Sequence, residues 1–115
     1  MTKKIRLAVA GLSLGCLLAH PALAADAARG RVKAETCTGC HAVESYQNVY
    51  PTYNVPKVAG QHAEYIVAAL KAYKSGERAH DTMHANAINL SDEDMADIAA
   101  YFSSAVPGGA AAAAK

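Results

Sequence analysis

Two stretches of the chain carry a helical rhythm of apolar positions. From Gln61 to Ser75, the residues Tyr65, Ile66, Ala69, Leu70 and Tyr73 recur at three- and four-residue spacing, with Lys71 and Lys74 on the opposite side. This predicts an amphipathic helix that Gly76 ends. A second apolar face is made by Met95, Ile98, Ala99 and Phe102. Ser91 suits its N-cap, and Asp92, Glu93 and Asp94 place negative charge in the first turn, where the helix dipole favours it. That helix is expected to stop between Ser104 and Val106. A shorter helix is expected over Asp26 to Thr36, which is rich in Ala, Arg, Lys and Glu and free of proline. Two segments lack a sustained period. Residues 42–60 hold Pro51, Pro56, Asn48, Asn54 and three tyrosines, and residues 77–90 hold His80, Met83 and His84. Irregular connections of about 15 to 19 residues are uncommon in a small domain unless they serve a site. These two are therefore expected to wrap a bound group.

The N-terminus has a separate logic. Lys3, Lys4 and Arg6 precede an uncharged run from Leu7 to Ala19, and Ala22-Leu23-Ala24 is a small-x-small cleavage site, so residues 1–24 read as a secretory signal peptide. The run is shorter than the roughly 20 apolar residues of a spanning helix, and Pro21 follows it. Lipidation at Cys16 is disfavoured by Ser13, which stands where such sites take a branched apolar side chain. The expected organisation is thus a cleaved leader over 1–24, one domain over 25–106, and a loose Gly/Ala tail over 107–115. The implied compartment is the periplasm, with no membrane span in the mature chain.

Removing the leader changes the charge and the cysteine arithmetic. Lys3, Lys4 and Arg6 are lost, so 11 cationic side chains against 10 anionic become 8 against 10, a formal charge of −2. Nucleic-acid binding rests on clustered positive charge, and no such balance exists here. The acidic run from Asp92 to Asp97 reads as a complement to the helix N-terminus rather than a docking surface. Cys16 leaves with the leader, so Cys37 and Cys40 remain in a chain sent to a compartment where bare thiols oxidise.

Those two cysteines belong to Cys37-Thr38-Gly39-Cys40-His41, the C-x-x-C-H signature of covalent haem attachment. The spacing follows from the chemistry: two thiols add across the two vinyl groups of one haem, and the adjacent histidine is delivered to the iron by the same turn. A dithiol redox pair would more usually open a helix after a strand, and no βαβ pattern is present. Zinc would want a second tight ligand pair, which His62, His80 and His84 do not supply. One motif implies one haem c per chain.

At these residues the chain resembles the class I c-type cytochromes, the small soluble bacterial monohaem kind, and equally one domain of the tandem diheme cytochromes. The resemblance runs from the Gly30-to-Cys37 approach through Pro56-Lys57-Val58-Ala59-Gly60-Gln61 and Gly76-Glu77-Arg78 to Leu90-Ser91-Asp92-Glu93-Asp94 and Ala100-Tyr101-Phe102. It implies an all-α cytochrome c fold, with three main helices and haem-wrapping loops, in which the first and last helices cross and Gly30 allows their close approach. It also implies that the carbonyl of Pro56 accepts the free N–H of His41. The chain departs from the pattern at Ala42-Val43-Glu44, where many relatives have Gly and Asp-Gly.

The second axial ligand is open to several residues. Met95 lies on the apolar face of the last helix and reads as core filler. Met83 lies in the irregular segment where the family places its ligand, and His80 and His84 flank it as alternatives. His62 reads as a cap or decoration at the start of its helix. The six tyrosines read as slot lining, propionate contacts or packing. With His41 and Met83 on the iron, the chain would carry single electrons between redox proteins and would not be an enzyme. The rival readings are a haem-bearing subunit of a larger dehydrogenase and a gas-binding haem protein with an open iron site.

Overall fold

The computed structural model describes residues 24–43 and 45–105. The expected leader, Ala24 apart, and the expected tail over 107–115 lie outside them. Among the described residues five helices follow one another: α1 (Ala27–Lys33), α2 (Glu35–His41), α3 (Ala63–Ser75), α4 (Asp81–Ala87) and α5 (Asp92–Ser104). Between α2 and α3 lies a two-stranded antiparallel hairpin, β1 (Gln47–Asn48) and β2 (Tyr53–Asn54), in which Gln47 faces Asn54 and Asn48 faces Tyr53.

Caps fix where the helices begin. The Asp26 carboxylate accepts from the amides of Ala28 at 2.7 Å and Arg29 at 3.2 Å, opening α1. Ser91 and Asp94 form a reciprocal capping box on α5. Gly76 closes α3 in the left-handed region, with φ of 80°, a conformation in which a side chain is strained.

The two long helices lie where their periodicity places them, and other expectations need correction. The single helix expected over Asp26 to Thr36 is two helices, broken at the fully buried Ala34, and the second runs on through the whole cysteine motif. Residues 77–90, read as irregular, contain α4. Seven residues are too few to show a period, and α4 is fastened by non-local bonds: the Nδ1–H of His84 donates to the Tyr73 carbonyl of α3 at 2.8 Å.

The core lies among α1, α3 and α5. Ala34, Ile66, Leu70, Ala87, Met95, Ile98, Ala99, Tyr101 and Phe102 are buried, with Met95 fully enclosed as a core filler. Gly30 sits where α1 crosses α5, and a Cβ there would collide with the backbone carbonyl of Asp97. Asp97 itself is buried and turns toward α1, so it is not the dipole complement its place in the acidic run suggested. Its carboxylate accepts from Arg29 Nε at 2.8 Å, from the other arm of that guanidinium at 3.0 Å, and from the Asp26 amide at 2.7 Å. The Arg29 guanidinium holds the Asp97 carboxyl below the usual carboxylate range, and Lys33, ahead of Ser91, does the same for Asp94.

The lysines on the outer side of α3 also tie elements together. Lys71 pairs with Asp92 at 3.0 Å, and Lys74 donates to the Leu90 carbonyl at 2.5 Å. On the far side, the Gly60 amide donates to the Phe102 carbonyl at 2.8 Å, joining the segment before α3 to the last turns of α5. Among the described residues, no helix is long and apolar enough to cross a membrane.

Candidate functional site

Helix α2 presents Cys37, Cys40 and His41 from consecutive turns. Residues three apart on a helix share a face, so both sulfurs can meet one ligand edge. Both cysteines are half-buried. Cys37 packs on the core, and burial pushes its thiol pKa up.

His41 is oriented by the segment before α3. Its Nδ1 lies 2.7 Å from the Pro56 carbonyl oxygen. A carbonyl only accepts, so Nδ1 carries the proton and Nε2 keeps its lone pair for a metal. A donated N–H of this kind fixes the ring and raises its basicity as a ligand.

Cys37, Cys40, His41, Pro56 and Met83 all line one cavity of about 720 Å³. α2 forms one wall, α4 contributes Met83, and the hairpin supplies Tyr46, Tyr50 and Tyr53. Ile66 and Leu70 of α3, with Ile98 and Phe102 of α5, make the apolar floor. The volume is that of a site enclosing a sizeable organic group. The donor set agrees: two thiols and an oriented imidazole stand on one helix, with a thioether on another wall of the same space. These residues fit a covalently held haem. Among the described residues no cluster of three His, Cys, Asp or Glu side chains is placed to hold a metal without such a group.

The other candidates separate. His80 lines the cavity, whereas His84 is engaged with Tyr73. His62 stands at the N-cap of α3 without a side-chain cap bond, and Met95 is sealed in the core. Tyr65 and Tyr73 line the cavity; Tyr101 instead packs in the core against Phe102, with ring centroids 5.2 Å apart. Arg78 is a lining residue that sequence reading does not single out for a role. Its guanidinium lies 4.7 Å from the Tyr73 ring centre, and it donates to the Tyr65 hydroxyl at 3.3 Å. The Gly76-Glu77-Arg78 stretch was its only sequence signal.

An all-α frame that delivers two thiols and an imidazole to one apolar cavity defines a c-type haem protein. The chain belongs to the cytochrome c family, whose family model matches residues 27–105, and it binds haem c covalently. It is 44% identical over 94 residues to the cytochrome c4 of Pseudomonas aeruginosa, an alignment covering 81% of this chain and 44% of that protein. It is 45% identical over 84 residues to cytochrome c-554(548) of Halomonas halodenitrificans, covering 70% of this chain and 98% of that protein. The cytochrome c4 of Azotobacter vinelandii is 37% identical over 106 residues, covering 84% of this chain and 48% of that protein. The chain thus spans about half the length of these cytochrome c4 relatives and nearly all of cytochrome c-554(548).

Proposed function

We propose that this protein is an exported monohaem electron carrier, with its haem tethered by Cys37 and Cys40 and the iron held between His41 and Met83. The observation that carries the reading is the His41 Nδ1–H bond to the Pro56 carbonyl, with the Met83 side chain on the wall of the same cavity. Cys37 and Cys40 would hold the haem as thioethers, each by adding its S–H across a vinyl group, with sulfur on one carbon and hydrogen on the other, so that no oxidant would be needed. Bound there, the haem supplies a ferric–ferrous couple. His41 would hold the metal through Nε2, and Met83 through its thioether. A thioether favours the ferrous state and raises the potential. The apolar floor of Ile66, Leu70, Ile98 and Phe102 acts in the same direction, because a low dielectric penalises the additional positive charge of ferric iron.

With His41 and Met83 both on the metal, no coordination site would be left for a substrate, and the protein would carry electrons rather than act as an enzyme. Its partners are redox proteins that meet it transiently, through the small interfaces usual for such encounters. The leader over residues 1–24 directs it to the periplasm, where Cys37 and Cys40 are protected by their thioether bonds.

A redox titration followed by visible and near-infrared absorption tests the assignment. The ferric protein should show the weak near-infrared sulfur-to-iron band, and Met83→Ala should abolish it. Retention of the band in Met83→Ala would exclude Met83, and tight carbon monoxide binding by the reduced wild-type protein would point to an open iron site.

A further inference from the structure

His80 does more at the cavity wall than occupy the turn before α4. Its Nδ1 accepts the backbone N–H of Met83 at 3.4 Å, satisfying one of the free amides at the start of the helix. Helix starts usually draw such a bond from a short oxygen-bearing side chain, as Asp26 and Ser91 do for α1 and α5. An imidazole adds an apolar body to the acceptor. The His80 ring stands edge-on to Tyr53 of β2, with centroids 4.8 Å apart and planes at 81°, and to Tyr73 of α3 at 6.1 Å and 77°. Tyr53 makes a second tie to the same turn, donating its hydroxyl to Thr82 at 3.3 Å.

One ring therefore joins the hairpin, α3 and the amide of Met83. Capping alone fixes the start of α4 relative to itself, but capping by a ring held between two tyrosines fixes it relative to the cavity. Edge-to-face aromatic contacts favour particular geometries, so this clamp resists sliding as well as separation. Because Nδ1 accepts, the ring's proton is on Nε2 in its neutral form.

We propose that His80 is the positioning residue for the Met83 thioether. Its acceptor nitrogen and its ring together set where α4 begins, and so where the sulfur of Met83 stands in the haem cavity. This role rests on the reading of Met83 as the second axial ligand. It assigns His80 a place beside the iron ligand without making it one.

The test is how readily exogenous imidazole displaces the sulfur from ferric holoprotein, monitored by loss of the near-infrared band. His80→Ala removes both acceptor and ring and should raise the apparent imidazole affinity about tenfold, the scale set by losing a helix cap. His80→Asn restores a short acceptor without the ring, and His80→Phe restores the ring without the acceptor; each should fall between wild type and His80→Ala. Ser91→Ala is the control, because it uncaps α5 at a residue off the cavity lining and should lower the melting temperature without changing imidazole affinity. The role is overturned if His80→Ala binds imidazole like wild type, or if Ser91→Ala raises the affinity as much. It is also overturned if His80→Asn alone restores wild-type behaviour, which would leave the ring with no part. If the low-spin spectrum survives Met83→Ala but not His80→Ala, His80 is itself the ligand and the positioning role falls. A wild-type ferric spectrum without the sulfur band would remove the Met83 assignment, and this inference with it.

Discussion

Gly30 and Asp97 meet backbone to backbone at the crossing of α1 and α5, so closely that a single added carbon on Gly30 would overlap the Asp97 carbonyl. The crossing brings α1 against α5, the first and last helices among the described residues, and α2, with the haem-binding motif, follows directly from it.

Replacing Gly30 with Ala should therefore cost more than a helix-propensity argument suggests. Alanine favours a helix by up to about 1 kcal/mol over glycine, yet the obstruction here is backbone, which cannot rotate away. Gly30→Ala should destabilise the holoprotein by about 1–3 kcal/mol or more. A lower midpoint in guanidinium denaturation checks it; an unchanged or raised midpoint contradicts the crossing.

The Asp97 carboxylate makes stability sensitive to acid. Its folded pKa is lowered by Arg29, so the charged form stabilises the fold at pH values above the unfolded value near 3.9. That contribution declines as pH falls through the folded pKa, and Asp94, depressed by Lys33, adds in the same sense. Melting temperature should fall between about pH 4 and pH 2 in the wild type. Asp97→Asn should melt lower at pH 7 and lose less on acidification, since its side chain has no proton to gain.

Each cysteine should anchor the haem separately. Cys37→Ala and Cys40→Ala should each retain haem through denaturing gel electrophoresis by one thioether, with the pyridine haemochrome band displaced to longer wavelength. The double variant should release all of it. Intact mass of the wild type should exceed that of the bare polypeptide by one haem, and a mass equal to the polypeptide alone would contradict covalent attachment.

Without haem the chain should be poorly folded. The cavity of about 720 Å³ is floored by Ile66, Leu70, Ile98 and Phe102, which also belong to the only large apolar cluster among the described residues. Without the haem, that floor loses the apolar group packed against it, and a small domain has little other burial to offset the loss. Far-ultraviolet circular dichroism of the apoprotein should show most helical signal lost, while native-like helicity would count against the haem as part of the core.

The sequence made the fold legible where one physical rule acts alone. Tyr65 to Tyr73 and Met95 to Phe102 repeat often enough to announce α3 and α5, and the pair of cysteines with their histidine needs only its spacing. The rest depends on partners distant in the chain. Helix α4 has too few residues for a period and is held by His80 and His84 reaching other elements. Asp97 is indistinguishable in sequence from its acidic neighbours until α1 brings Arg29 against it. The hairpin is hidden among prolines and asparagines that equally suit an unpaired loop.

The Gly60 amide bonded to the Phe102 carbonyl has a consequence for speed. It ties the segment whose Pro56 carbonyl holds the His41 ring to the most deeply buried helix, so with His41 on the iron, as proposed, one half of the metal's surroundings would be a stiff frame. An electron hop is slowed by every atom that must shift when the centre changes charge. A frame that stays still keeps that toll low.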